Sequence, residues 1–133
     1  MEQRLLALRP ALEAHFHVPL AGCQAPQFYI YEEGDFFLPH RDRDNDPLAP
    51  EHVKARQVAI SVFLNDGTEG PDRQPYRGGA LVFYGSRGGP GGAAFGIPLE
   101  SEEGMCVGFR SDWVHEVRPI TSGRRYCIVT WFY

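Results

Sequence analysis

The sequence lacks the marks of several protein classes. Its three cysteines, Cys23, Cys106 and Cys127, are odd in number, and no two stand at metal-binding spacing. Neither a disulfide framework nor a cysteine metal site is expected, and a reducing compartment is the simpler reading. No basic run occurs, and 13 Lys and Arg against 17 Asp and Glu give a formal charge of −4. That balance leaves no electrostatic footprint for nucleic acid. No stretch reaches the apolar length of a membrane span. The N-terminal MEQRLLALRPALEAHF lacks the apolar centre and small-residue cleavage site of a signal peptide. The expectation is a soluble cytoplasmic protein that engages neither nucleic acid nor membrane. Internal repeats are also missing, and 133 residues fit one domain, 1–133. At 43% apolar residues the chain can build a core, which excludes a disordered protein.

The segment from Glu2 to Phe16 has a helical stripe of Leu5, Leu6, Leu8, Leu12 and Phe16. Pro10 falls inside it and predicts a kink or a late start. Residues 1–17 are therefore read as an N-terminal helix. From residue 26 the pattern changes to short apolar runs punctuated by Gly, Pro, Asn and Asp. Eight are strand candidates: Gln27–Tyr31, Phe37–Asp42, Gln57–Asn65, Gly79–Tyr84, Phe95–Leu99, Met105–Phe109, Val114–Pro119 and Arg125–Phe132. Arg43–Arg56 and Asp66–Gly78 are long loops, and Gly85–Gly96 is a glycine-rich connection. One helix followed by eight strands predicts an all-β sandwich or barrel, and eight strands suit a jelly roll.

The chemistry centres on His40-x-Asp42 and, far downstream, His115. Two imidazoles and one carboxylate make the facial triad of non-haem iron oxygenases, which leaves one side of the metal open. On a strand, residues two apart point the same way, so His40 and Asp42 can address one ion. A His-x-Asp pair alone is a weak signal. It gains weight from His115 on a predicted strand and from Arg125 ten residues later, at the start of the last strand. A guanidinium there suits a carboxylate, which it can bind through two parallel hydrogen bonds. Arg124 is the rival, but neighbours on a strand face opposite sides.

The stretches YEEGDFFLPHRD (Tyr31–Asp42), GGALVFYG (Gly78–Gly85) and GFRSDWVHEVRPITSGRRYCIVTWF (Gly108–Phe132) together resemble the prolyl 4-hydroxylase-like branch of the iron(II)/2-oxoglutarate dioxygenases. The resemblance implies a double-stranded β-helix, a cupin-like jelly-roll barrel, over residues 26–133. It implies Fe(II) held by His40, Asp42 and His115, with 2-oxoglutarate and O2 as co-substrates and ascorbate as an accessory reductant. Arg125, at the family's spacing, would bind the far carboxylate of 2-oxoglutarate, and Tyr31 would line that pocket. Phe63 stands where some relatives have a Tyr that holds the same carboxylate. Another donor, with Tyr29 and Thr130 as candidates, would then substitute. The implied reaction converts 2-oxoglutarate and O2 to succinate and CO2 while hydroxylating an unactivated C–H bond. A prolyl residue in a peptide or protein is the first candidate substrate, and a free amino acid or other small molecule the second.

Parity sharpens the picture. If Arg125 points inward, so do Cys127, Val129 and Trp131, and Ala59, Ser61 and Phe63 face them. Val58, Ile60 and Val62 then form an outer face too apolar to leave wet. The N-terminal helix is its expected cover, with a homodimer, or a fold shortened relative to its relatives, accounting for the remainder. Trp113 ranks first among further substrate contacts, ahead of Tyr76, Arg77 and Arg110. Asp42-x-Asp44-x-Asp46 opens like a calcium loop, but Pro47 and Val53 stand where that loop needs Gly and Glu. Two other readings compete with the oxygenase. One is a cupin-like metalloenzyme that does not use 2-oxoglutarate. The other is a non-catalytic metal-binding barrel.

Overall fold

Strand formation follows the β-branched and aromatic runs. The structure, a computed structural model, describes residues 1–86 and 94–133. In chain order the elements are α1 (Glu2–Leu6), α2 (Arg9–Phe16), β1 (Gln27–Tyr31), β2 (Phe37–His40), α3 (Glu51–Lys54), β3 (Val58–Phe63) and β4 (Arg77–Gly78). They continue with β5 (Leu81–Ser86), β6 (Ala94–Leu99), β7 (Cys106–Arg110), β8 (His115–Val117), β9 (Ile120–Ser122) and β10 (Arg125–Phe132). Two antiparallel four-stranded sheets result, in the orders β1-β10-β3-β7 and β2-β8-β5-β6, with β4 and β9 paired at one side. This is the expected double-stranded β-helix.

The inner faces of the two sheets meet in a shared core. Phe63 of the first sheet packs with Leu81 and Val117 of the second, and Phe83 packs on Ala59, Phe109 and Trp131. The outer face of the first sheet carries Val58, Ile60 and Phe132. Leu5, Leu8, Leu12, Phe16 and Leu20 of the N-terminal segment cover it, as its apolar stripe requires. That segment is helical in two pieces; α2 starts at Arg9, and Pro10 falls in its first turn. There its missing N–H is harmless, whereas mid-helix it would break a bond.

Several boundaries differ from the sequence reading. β2 ends at His40, so Asp42 lies just past the strand. The run Val114–Pro119 forms only β8, and β9 begins just beyond Pro119, which cannot donate to a ladder. The two-residue β4 and the single helical turn of α3 are too short to carry a periodic signal. Of the glycine-rich connection, residues 87–93 lie outside the described residues. No described helix is long and apolar enough to cross a membrane.

Candidate active site

The second sheet brings the two imidazoles together. In the β2–β8 register His40 is the cross-strand partner of His115, and their ring centroids stand 4.3 Å apart. Each ring is oriented through Nδ1, which donates to a backbone carbonyl: His40 to Leu38 O at 2.7 Å and His115 to Trp113 O at 3.0 Å. A carbonyl can only accept, so each Nδ1 carries a proton; Nε2 presents a lone pair in the neutral rings, and in the protonated His40 ring it donates to Asp42. Asp42 completes the group, with Oδ1 3.4 Å from His40 Nε2 and Oδ2 3.6 Å from His115 Nε2. All three ligand atoms lie within 4.8 Å of one another. Ligands at right angles on bonds of about 2.1 Å sit roughly 3 Å apart, so this spacing fits one cation. The donor set is that of a facial iron site, with both imidazoles already anchored from behind.

The local electrostatics suit a metal. Burial alone would push the Asp42 carboxyl up. The His40 hydrogen bond and the nearby His115 outweigh it and hold Asp42 below the usual carboxylate range. The Trp131 indole acts in the same direction, from beyond a formed hydrogen bond, since its buried Nε1 closes none. Burial dominates at His115 and lowers its pKa, keeping the ring neutral. At His40 burial is overcome by Asp42 and the Leu38 carbonyl, and the pKa rises.

Arg125 projects into the same cavity and is 1% exposed. One Nη1 donates to Gly79 O at 3.0 Å, while Nε is buried without a partner. The guanidinium lies 4.8 Å from the Phe63 ring centroid and 5.2 Å from that of Tyr31. Among the described residues no carboxylate pairs with it. The Gly79 position itself requires glycine: φ is +65°, and a Cβ there would run into Ile120 Cδ1. Arg124 points outward to Glu32 at 3.0 Å, so strand alternation decides between the two arginines.

A model of the 2OG-Fe(II) oxygenase superfamily matches residues 26–133. The chain belongs to that superfamily. Its cofactors are accordingly Fe(II), 2-oxoglutarate and O2, and the His40, Asp42 and His115 donor set fits the iron. This oxygenase resembles the crystal structure of a Pseudomonas putida prolyl-4-hydroxylase at 26% identity and a TM-score of 0.73, covering 98% of this chain and 63% of that one. A Trichoplax adhaerens prolyl hydroxylase, solved with a hypoxia inducible factor oxygen degradation domain peptide fragment, is 19% identical with a TM-score of 0.69, covering 98% and 55%. The viral collagen prolyl hydroxylase of Paramecium Bursaria Chlorella virus-1, in its 2OG complex, is 19% identical with a TM-score of 0.67, covering 98% and 70%. The chain thus spans less than two thirds of the first two. No curated protein sequence matches it.

The oxygenase cavity, of about 350 Å³, joins the triad to Arg125 between the sheets. Tyr29 and Tyr31 line it, and burial pushes the Tyr31 phenol up to about 12. Tyr29 spends its hydroxyl on Gln27 Oε1 at 2.8 Å. Phe63 packs against the guanidinium as an apolar wall. Thr130 corrects an expectation: it sits on the opposite face of β10 from Arg125, and its Oγ1 donates to Gln24 O at 2.6 Å. It does not line the cavity. Trp113, half exposed, lines a neighbouring groove, and it serves the site through its backbone carbonyl. Tyr76 is buried against Ser101, while Arg77 pairs with Glu69 and Arg110 with Asp112. Sequence reasoning missed Arg56, whose guanidinium stacks 3.6 Å over Trp131 in the cavity wall. It lay in a loop with no periodic pattern, so nothing in the sequence signalled it.

Proposed function

We propose that this chain is a single-domain Fe(II)/2-oxoglutarate-dependent dioxygenase that hydroxylates an unactivated C–H bond, with a prolyl residue of a peptide or protein as the favoured substrate. The observation that carries the reading is Arg125. A buried guanidinium without an anion is costly, and a dicarboxylate spanning the cavity would remove that cost. His40, Asp42 and His115 bind the metal through Nε2, a carboxylate oxygen and Nε2. Arg125 fixes the far carboxylate of 2-oxoglutarate, with Phe63 as the wall behind it. Tyr31 supplies the donor that Phe63 lacks, since its hydroxyl has no partner among the described residues and its phenol stays protonated. Tyr29 closes the pocket side. When bound, Fe(II) and 2-oxoglutarate reduce O2 and oxidise the substrate C–H bond to an alcohol, with succinate and CO2 as co-products.

The prolyl assignment is supported by the likeness to the Pseudomonas enzyme, and a peptide by the Trichoplax complex. The thiols of Cys106 and Cys127 fit a cytoplasmic location. The test begins without oxygen: Fe(II) and 2-oxoglutarate together should give a visible charge-transfer band, and admitting air with a prolyl peptide should yield succinate. Arg125→Ala should weaken 2-oxoglutarate binding by about a hundredfold, from the loss of a charge-assisted bidentate pair. Its Fe(II) affinity should stay near that of the parent. Unchanged 2-oxoglutarate affinity in that variant would return the chain to the metalloenzyme that works without 2-oxoglutarate.

A further inference from the structure

We infer that a side-chain bracket of Gln24 and Arg56 holds the metal ligand Asp42 in position, so that Gln24, which precedes the span matched by the family model, is a positioning residue for the metal. The inference rests on the reading of His40, Asp42 and His115 as ligands.

Asp42 needs outside support because β2 ends at His40 and no ladder bond reaches it. Its peptide link to Arg43 is gripped at both ends. Arg43 N donates to Ser111 O at 2.9 Å, and Arg56 Nη1 donates to Asp42 O at 3.2 Å. The first grip is backbone to backbone, and any sequence could supply it. The second depends on where one guanidinium points. Arg56 is aimed by Gln24, whose Oε1 accepts from Nε at 3.2 Å and Nη2 at 3.1 Å, and by the Trp131 ring beneath it.

Gln24 is itself fixed at every polar atom. Its N donates to Trp131 O at 2.8 Å, its O accepts from Thr130 Oγ1 at 2.6 Å, and its Nε2 donates to His52 O at 2.6 Å. The rigid strand β10 therefore positions Gln24, Gln24 positions Arg56, and Arg56 sets the backbone from which the Asp42 carboxylate springs. A neutral acceptor matters here. Gln24 orients the cation without neutralising it, which leaves its field to act on Asp42. The family's metal motif contains none of this, because the bracket joins an N-terminal link to a loop residue that the motif does not reach.

The experiment uses the full chain and Co(II), whose visible spectrum reports ligand geometry. Gln24→Met keeps the side-chain length and removes the acceptor. It should bind Co(II) about tenfold or more weaker, within the range found for outer-shell partners, and with an altered spectrum. Gln24→Glu restores an acceptor oxygen but neutralises Arg56 and loses the donor to His52 O, so it should restore the parent's spectrum with only part of the affinity. Leu20→Ala serves as the control: it destabilises the same segment through its core and should leave Co(II) affinity unchanged. If Gln24→Met binds with the parent's affinity and spectrum, or if Leu20→Ala weakens Co(II) equally, the bracket is overturned while the metal site stands. A parent chain that takes up no Co(II) overturns both.

Discussion

His40 and His115 face each other across a strand pair yet hold their protons differently, and the difference bears on pH. Burial lowers both rings, but at His40 the Asp42 hydrogen bond and the Leu38 carbonyl outweigh it. With its folded pKa above 6.5, His40 adds stability to the metal-free chain that is full at acid pH and lost as pH rises through that folded value. Metal binding runs the other way, since it requires the neutral ring, so proton and metal compete at His40. Asp42, held low, stays ionised throughout this window. The rise in melting temperature on adding Mn(II), a stand-in that tolerates air, should therefore be clearly smaller near pH 6 than near pH 8. Equal rises at the two pH values would contradict the assignment of His40. The triad and Arg125 were legible because metal chemistry and a buried cation each demand particular residue types at particular spacings. Gln24, Arg56 and the fate of the Thr130 hydroxyl were not. Their partners lie as far as 32 and 106 positions away, and nothing local fixes such pairings.

At the scale of elements, strand alternation carried most of what could be read. β10 runs as expected, with Arg125, Cys127, Val129 and Trp131 lining the cavity and Phe132 turned to the helical cover. The parity of β3 follows the same rule. What failed to show were pieces without a period: the two-residue β4, the single turn of α3, and the break at Pro119. A buried side chain also does the work of a strand end. Asn65, just past β3, donates through Nδ2 to Gln74 O at 2.6 Å and Arg124 O at 2.7 Å, and its Oδ1 accepts from Tyr126 N at 2.8 Å. These bonds bracket Arg125 in sequence, and so tie the start of β10 to the end of β3. Asn65→Ala would leave three backbone groups without partners and should cost about 2–4 kcal/mol in urea unfolding. 2-Oxoglutarate affinity should fall as Arg125 loses its fixed origin. A stability within about 0.5 kcal/mol of the parent would show that water replaces the amide.

At the scale of the whole molecule, a chain that spans less than two thirds of the first two relatives still has apolar sheet faces to cover. The outer face of the first sheet shows two solutions side by side. Around β3 and the end of β10 the cover is internal: Phe132 is fully buried beneath the N-terminal segment with Val58, Ile60 and Leu5. Along β1, at the edge of the same sheet, Phe28 and Ile30 remain 62% and 57% exposed. Two phenylalanines on one sheet therefore make a matched pair of probes. Phe132→Ala should cost about 3–5 kcal/mol, the loss of a large core side chain. Phe28→Ala should cost less than about 0.5 kcal/mol, as for an exposed site, and the parent's unfolding midpoint should not move with protein concentration. A homodimer closing over β1 would reverse both outcomes. Phe28 would then behave as a core residue, and stability would rise with concentration, because association stabilises only the folded chain. Urea titrations of the two variants at low and high protein concentration separate a sheet roofed by its own N-terminus from one that needs a second copy.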